Sequence, residues 1–167
     1  MFAVIDGSID TDVVDSYYRK ISNHFNDMLR QGEDINEWYP TKNIRLPVDD
    51  PIVDIVKSVL QSRLNIKLTC SDCEMQTWPI GSDSTLHKHD APRAPLYAEG
   101  EDYNSLLYLN DNFGGGQFYT ENGISIKPVK GRLTLFRGDR IRHGLNNVEN
   151  NHRHTIIFWW KNTEEVL

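Results

Sequence analysis

The stretch TLHKHDAPR, residues 85–93, sets two imidazoles and a carboxylate (His87, His89 and Asp90) within four positions, and a further imidazole, His143, lies far downstream. Side chains of these types hold divalent transition metals. Two imidazoles and one carboxylate on one face of an octahedral ion leave the other positions open to a bidentate ligand and O2, an arrangement that suits non-haem Fe(II). Alternate residues of a strand share a face, so His-x-Asp is the economical way to draw two ligands from one strand end. A solvent-exposed polar turn would have the same composition, so the stretch alone does not decide.

A second chemical feature is Arg153. In RHTIIFWW, residues Arg153, Thr155, Ile157 and Trp159 fall on one strand face. If that face points inward, a guanidinium among apolar side chains is costly without an anion. A carboxylate is its natural bidentate partner. Tyr108 could offer that carboxylate a hydroxyl, with Thr155 as a weaker donor, or simply fill the core. The remaining candidates read as structural. His24 lies on a helix, His152 and His154 flank Arg153 as surface or packing residues, and Trp159 and Trp160 are core and outer packing. Cys70 and Cys73 form a C-x-x-C, but no second pair completes a zinc set. Alternation along an extended chain predicts that their thiols face opposite ways.

The elements that must position these groups are legible from periodicity. FAVID is a short strand. TDVVDSYYRKISNHFNDMLRQG is an amphipathic helix with Val13, Val14, Tyr17, Ile21, Phe25 and Met28 on one stripe and Gly32 as its stop. DDPIVDIVKSVLQSRLN is a second helix, with Asp50 as N-cap, Pro51 in the first turn and Ile52, Ile55, Val56 and Leu60 as its stripe. Beyond residue 65, short β-rich runs alternate with Gly, Pro, Asn and Asp clusters, the texture of a sandwich or barrel. The expectation is one domain over 1–167, mainly β with N-terminal helices (α+β): a helical buttress over 1–65 and a β core over 66–162. In YLNDNFGGGQF, the Asn and Asp residues form turns and Gly114–Gly116 allow positive φ or close backbone approach.

Composition narrows the function. The 167 residues are 38% hydrophobic and 25% charged, as in a soluble globular chain, and the net charge of −6 offers no basic field for nucleic acid. No apolar run is long enough to span a bilayer and the first residues carry no basic leader, so neither nucleic acid nor membrane is expected as a partner, and the expected compartment is cytoplasmic.

From Trp78 to Lys161 the chain resembles the prolyl 4-hydroxylase-like (prolyl hydroxylase) branch of the Fe(II)/2-oxoglutarate dioxygenases. WPIGSDSTLH resembles the approach to the first ligand histidine, which falls on His87. YNSLLYLNDNFGGGQFYT resembles the strand–turn–strand YLND…GG…F, and IKPVKGRLTLF its P…G…F segment. RHGLNNVENNHRHTIIFWW resembles the segment in which the distal ligand histidine, here His143, is followed ten residues later by a basic residue, here Arg153. The resemblance implies a double-stranded β-helix (jelly-roll) core buttressed by helices. It implies Fe(II), 2-oxoglutarate and O2 as cofactor and cosubstrates, and admits ascorbate. The implied reaction is hydroxylation of a C–H bond with release of succinate and CO2. The substrate would be a prolyl residue of a peptide or protein, with a free amino acid as the alternative. Arg153, with Tyr108 and Thr155, would anchor the distal carboxylate of 2-oxoglutarate.

The chain departs from the family at the first ligand pair, because His-x-Asp is absent. Three registers are open. His87 and Asp90 can bind with His143 if one extra residue is taken up as a bulge. His87 and His89 can bind with His143 as an all-histidine set. Or His89 binds and Ala91 stands where the carboxylate would, as in the radical halogenases. A non-catalytic binding module on the same fold is the rival of another class. Residues 91–104, rich in Pro and Gly, read as a loop covering the substrate.

Overall fold

The computed structural model describes residues 1–34, 42–89 and 102–163. In chain order its elements are β1 (Phe2–Ile5), α1 (Thr11–Arg30), β2 (Lys42–Arg45), α2 (Pro51–Leu64), β3 (Leu68–Trp78), β4 (Ser84–His87), β5 (Tyr103–Tyr108) and β6 (Gly114–Gly115). There follow β7 (Phe118–Thr120), β8 (Ser125–Ile126), β9 (Leu133–Phe136), β10 (His143–Leu145), β11 (Val148–Glu149) and β12 (Arg153–Asn162).

Both helices start where their caps dictate. The Asp10 carboxylate accepts from the Asp12 amide at the head of α1, and the Asp50 carboxylate accepts from the Ile52 amide at the head of α2, with Pro51 in the first turn. The Tyr17 hydroxyl also donates to Asp50, so one carboxylate caps α2 and ties it to α1. Helix α1 ends at Arg30, and Gly32 follows with φ of 72°.

The strands form a six-stranded antiparallel sheet in the order β1-β9-β5-β12-β3-β2, a four-stranded sheet β4-β10-β7-β8, and the short pair β11-β6. This is a double-stranded β-helix core. Sheet alternation splits the interior into two. Leu107, Leu133, Leu135, Ile156, Phe158 and Trp160 face α1 and α2, packing against Ile21, Ile52, Val56 and Leu60. Leu106, Tyr108, Phe136, Ile157 and Trp159 face the smaller sheet and meet its Phe118 and Ile126. Arg153 and Thr155 share that inner face with Ile157 and Trp159, as the alternation predicts.

Two findings differ from expectation. The segment before residue 66 adds to the expected strand FAVID, here β1, a second strand β2 that was not expected, and the two form the edges of the larger sheet. The two thiols also share a face. Opposite β12 the register shifts between Trp159 and Trp160, so Cys73 pairs with Phe158 and Cys70 with Trp160. Ser71 is the extra residue of that bulge, its hydroxyl donating to the Trp159 carbonyl, and one inserted residue reverses the alternation. Both sulfurs therefore lie on the helix-facing side, Cys73 fully buried and its thiol pKa pushed up by burial. No described helix is long and apolar enough to cross a membrane.

Candidate metal centre

His87 closes β4 and His143 opens β10, and the two are directly paired across the ladder. Their rings lie 4.5 Å apart between centroids. His89 comes two residues later, past the strand end, where its amide donates to the Gly138 carbonyl at 3.0 Å and holds the chain beside the loop after β9. Its ring is 4.9 Å from that of His143 and 5.7 Å from that of His87. One ring nitrogen from each of the three lies within 4.8 Å of the others. Asp90 lies outside the described residues, as do residues 91–101 of the expected covering loop.

The surroundings prepare two of these rings for a metal. The Nδ1 atoms of His87 and His143 each sit 2.9 Å from a backbone carbonyl, of Thr85 and Ile141 respectively. A carbonyl only accepts, so each Nδ1 carries the proton and Nε2 is left with its lone pair. His143 is buried between Phe118 and Phe136, whose ring centroids lie 5.3 and 4.8 Å from its own. That burial, helped by His89, lowers its pKa to about 3, with the Ile141 carbonyl opposing. It is neutral at any ordinary pH, as a ligand must be.

A second set of groups lies on the inner face of the larger sheet. Arg153 is fully buried at the start of β12, its side chain over the Tyr108 ring at 5.1 Å. Burial pulls its pKa down, with Tyr108 opposing. Arg153 Nε and the hydroxyls of Tyr108, Thr134 and Thr155 are buried with no hydrogen-bond partner among the described residues. A buried cation and three buried hydroxyls on one sheet face without protein partners are costly unless another group satisfies them. A carboxylate, which only accepts, has the chemistry that suits such donors. The site extends from there toward the histidines. Phe136, which touches His143, is two residues along β9 from Thr134 and on the same face. Two strand residues span roughly 7 Å, the reach of a short dicarboxylate. The sequence-predicted residues thus fall into two groups, His87, His89 and His143 in one and Arg153, Tyr108 and Thr155 in the other.

Thr134 was not singled out from the sequence. Its signal is the lone polar residue in the apolar run LTLF, with a buried hydroxyl opposite Leu106. The other histidines are structural. His154 packs against Tyr18 and Phe25 with its Nδ1 2.9 Å from the Thr77 hydroxyl, His152 packs on Phe25, and His24 is exposed.

Residues 75–161 match the family model of the 2OG-Fe(II) oxygenase superfamily. Prolyl 3-hydroxylase 2 of Homo sapiens is 36% identical over 93 residues, 49% of this chain and 13% of that protein, and the Mus musculus protein matches to the same extent. The chain therefore spans only a small part of those relatives. Among solved structures, a prolyl hydroxylase from Trichoplax adhaerens, in complex with a hypoxia inducible factor oxygen degradation domain peptide fragment, is similar with a TM-score of 0.71 at 22% identity. That match covers 96% of this chain and 83% of the other. A Pseudomonas putida prolyl-4-hydroxylase has a TM-score of 0.67 at 16% identity, covering 96% and 91%.

Proposed function

The chain belongs to the 2OG-Fe(II) oxygenase superfamily, and from that premise we propose that it hydroxylates a prolyl residue of a peptide or protein. Fe(II) supplies the oxidising chemistry when bound, with O2 and 2-oxoglutarate as cosubstrates and succinate and CO2 as by-products. His87 and His143 present Nε2 to the ion, and the third protein ligand comes from the segment just after β4. Arg153 takes the distal carboxylate of 2-oxoglutarate, with Tyr108, Thr134 and Thr155 donating to it. Phe118 and Phe136 wall His143 off from water. The protein's share is positioning and a dry pocket rather than covalent chemistry. The observation that carries this reading is the buried Arg153 with its unpartnered hydroxyls on the same inner face that reaches the histidines. The prolyl substrate is supported by the relatives, which are prolyl hydroxylases.

Anaerobic addition of Fe(II) and 2-oxoglutarate to the purified chain should produce the weak visible charge-transfer band of a chelated cosubstrate. Admission of O2 with proline-containing peptides should then release succinate and add one oxygen to proline. Absence of the band in folded protein would sink the oxygenase reading and leave a binding module. A band with succinate release but unmodified prolyl peptides would sink only the substrate.

A further inference from the structure

We propose that this chain completes its iron-binding face with the imidazole of His89 in place of the family's carboxylate, and that Gly138 is the residue that seats it. The inference rests on the oxygenase reading above and concerns how this chain differs from its family's pattern.

His89 stands two residues after His87, where His-x-Asp would place the carboxylate. Its ring turns toward the other two, with its ligand nitrogen inside the same 4.8 Å cluster. An imidazole needs more room there than a carboxylate, and that room exists at Gly138. A Cβ at this position would lie 2.6 Å from His89 Nδ1 and 2.2 Å from Asn104 Oδ1. Gly138 is not among the residues with positive φ, so its backbone makes no demand for glycine. The space does. The two neighbours could not yield equally. Asn104 is 2% exposed, locked on the inner face of β5 opposite Phe136 and Trp159. His89 is half-buried and beyond the strand end, so a methyl group at 138 would push the imidazole out of the cluster. The same glycine accepts the His89 amide through its carbonyl, so one residue fixes both the main chain and the ring of the third ligand.

The resulting centre carries one negative charge fewer than a two-histidine, one-carboxylate site. With the distal carboxylate of 2-oxoglutarate held by Arg153, three neutral imidazoles would leave the site one unit more positive than the family's pattern.

The test is X-ray absorption at the iron edge on the full chain loaded anaerobically with Fe(II) alone, with Fe(II) affinity measured by anaerobic dialysis. The outer-shell scattering should require three imidazoles. His89→Ala and Gly138→Ala should each weaken Fe(II) binding tenfold or more, whereas Asp90→Ala should change it less than threefold. Folded Gly138→Ala should retain two imidazoles. Should that variant fail to fold, His89→Asp carries the test, because the spectrum must then lose one imidazole. Two imidazoles in the unaltered chain, or a tenfold loss on Asp90→Ala with none on His89→Ala, would overturn the proposal while leaving the oxygenase reading intact. Failure of the unaltered, folded chain to bind Fe(II) overturns both.

Discussion

At the scale of single residues, Arg153 has the clearest energetic signature. A fully buried guanidinium whose Nε lacks a partner costs stability until an anion arrives. Arg153→Leu removes both the cost and the anion site. Its expected effect is a loss of roughly 2–5 kcal/mol of 2-oxoglutarate binding, thirty-fold or more, with Fe(II) affinity nearly unchanged. The metal-free, cosubstrate-free variant should melt no lower than the parent. A fall in stability with intact cosubstrate binding would make Arg153 a structural residue. Thr134→Val is the milder companion, expected to weaken 2-oxoglutarate about five-fold by removing one donor, about 1 kcal/mol, while sparing the fold. His87, His89, His143, Arg153, Tyr108 and Thr155 were all named as candidates from the sequence, and the fold groups the three imidazoles in one cluster and sets Arg153 over the Tyr108 ring. Thr134 was not named, because a threonine in a strand is unremarkable until its hydroxyl is seen to lack a partner. The third ligand was left open as well, because His-x-Asp is absent and the space beside His89 is set by Gly138, far along the chain.

At the scale of elements, the strand that carries His143 is three residues long, too short to leave a periodic signal in the sequence. It is held in register by the glycine-rich run before β7. Leu145 pairs with Phe118, the Asn146 amide donates to the Gln117 carbonyl, the Gly116 amide to the Asn147 carbonyl, and Val148 pairs with Gly115. The sequence marks Gly114–Gly116 as a turn allowing positive φ or close backbone approach. Gly115 and Gly116 have φ of 62° and 60°, but Gly114 and Gly115 also form a strand against β11. At Gly115 a Cβ would stand 1.9 Å from the Asn147 carbonyl oxygen, which is backbone and cannot step aside. Gly115→Ala should therefore cost about 3 kcal/mol, from left-handed backbone strain plus the clash. It should also weaken Fe(II) binding by disturbing His143. Gly123 offers the control, with φ of 79° and nothing within 4 Å of where a Cβ would stand. Gly123→Ala should lose only the backbone part, about 1–2 kcal/mol, and leave iron affinity alone. Equal losses in denaturant melts would refute the role given to the Asn147 contact. The Cys70–Cys73 pair shows the same limit of sequence reading: strict alternation assigned opposite faces, and a single bulge at Ser71 reversed it.

At the scale of the whole molecule, the larger sheet separates two environments, and one strand, β12, takes part in both. Odd-numbered Arg153, Thr155, Ile157 and Trp159 serve the reaction side, and even-numbered His154, Ile156, Phe158 and Trp160 serve the packing side under the helices. The helices were legible from the stripes of α1 and α2 and the β core from the short runs after residue 65, while the double-stranded β-helix was implied by the family resemblance. The edge strand β2 was not legible, because KNIR is polar and half-exposed. The packing side has a consequence for acid stability. His154 is buried against Tyr18 and Phe25, and burial, then His152 and Arg153, lowers its pKa from 6.5 to about 4. In the unfolded chain the same imidazole takes up a proton below about pH 6.5. Between these values the unfolded state binds more protons, so folding stability is complete above pH 6.5 and falls as the pH drops toward 4. The full difference is on the order of 3 kcal/mol for this group. His143 and His152, whose pKa values are also lowered, act in the same direction. His154→Asn places an amide where Nδ1 meets the Thr77 hydroxyl and removes the titration. Urea melts of metal-free protein from pH 7 to pH 4.5 should show a steep loss of stability in the parent and a shallower slope, by nearly one proton, in the variant. Parallel slopes would mean that His154 is protonated within the fold and that the helix-facing core is open to water at that point.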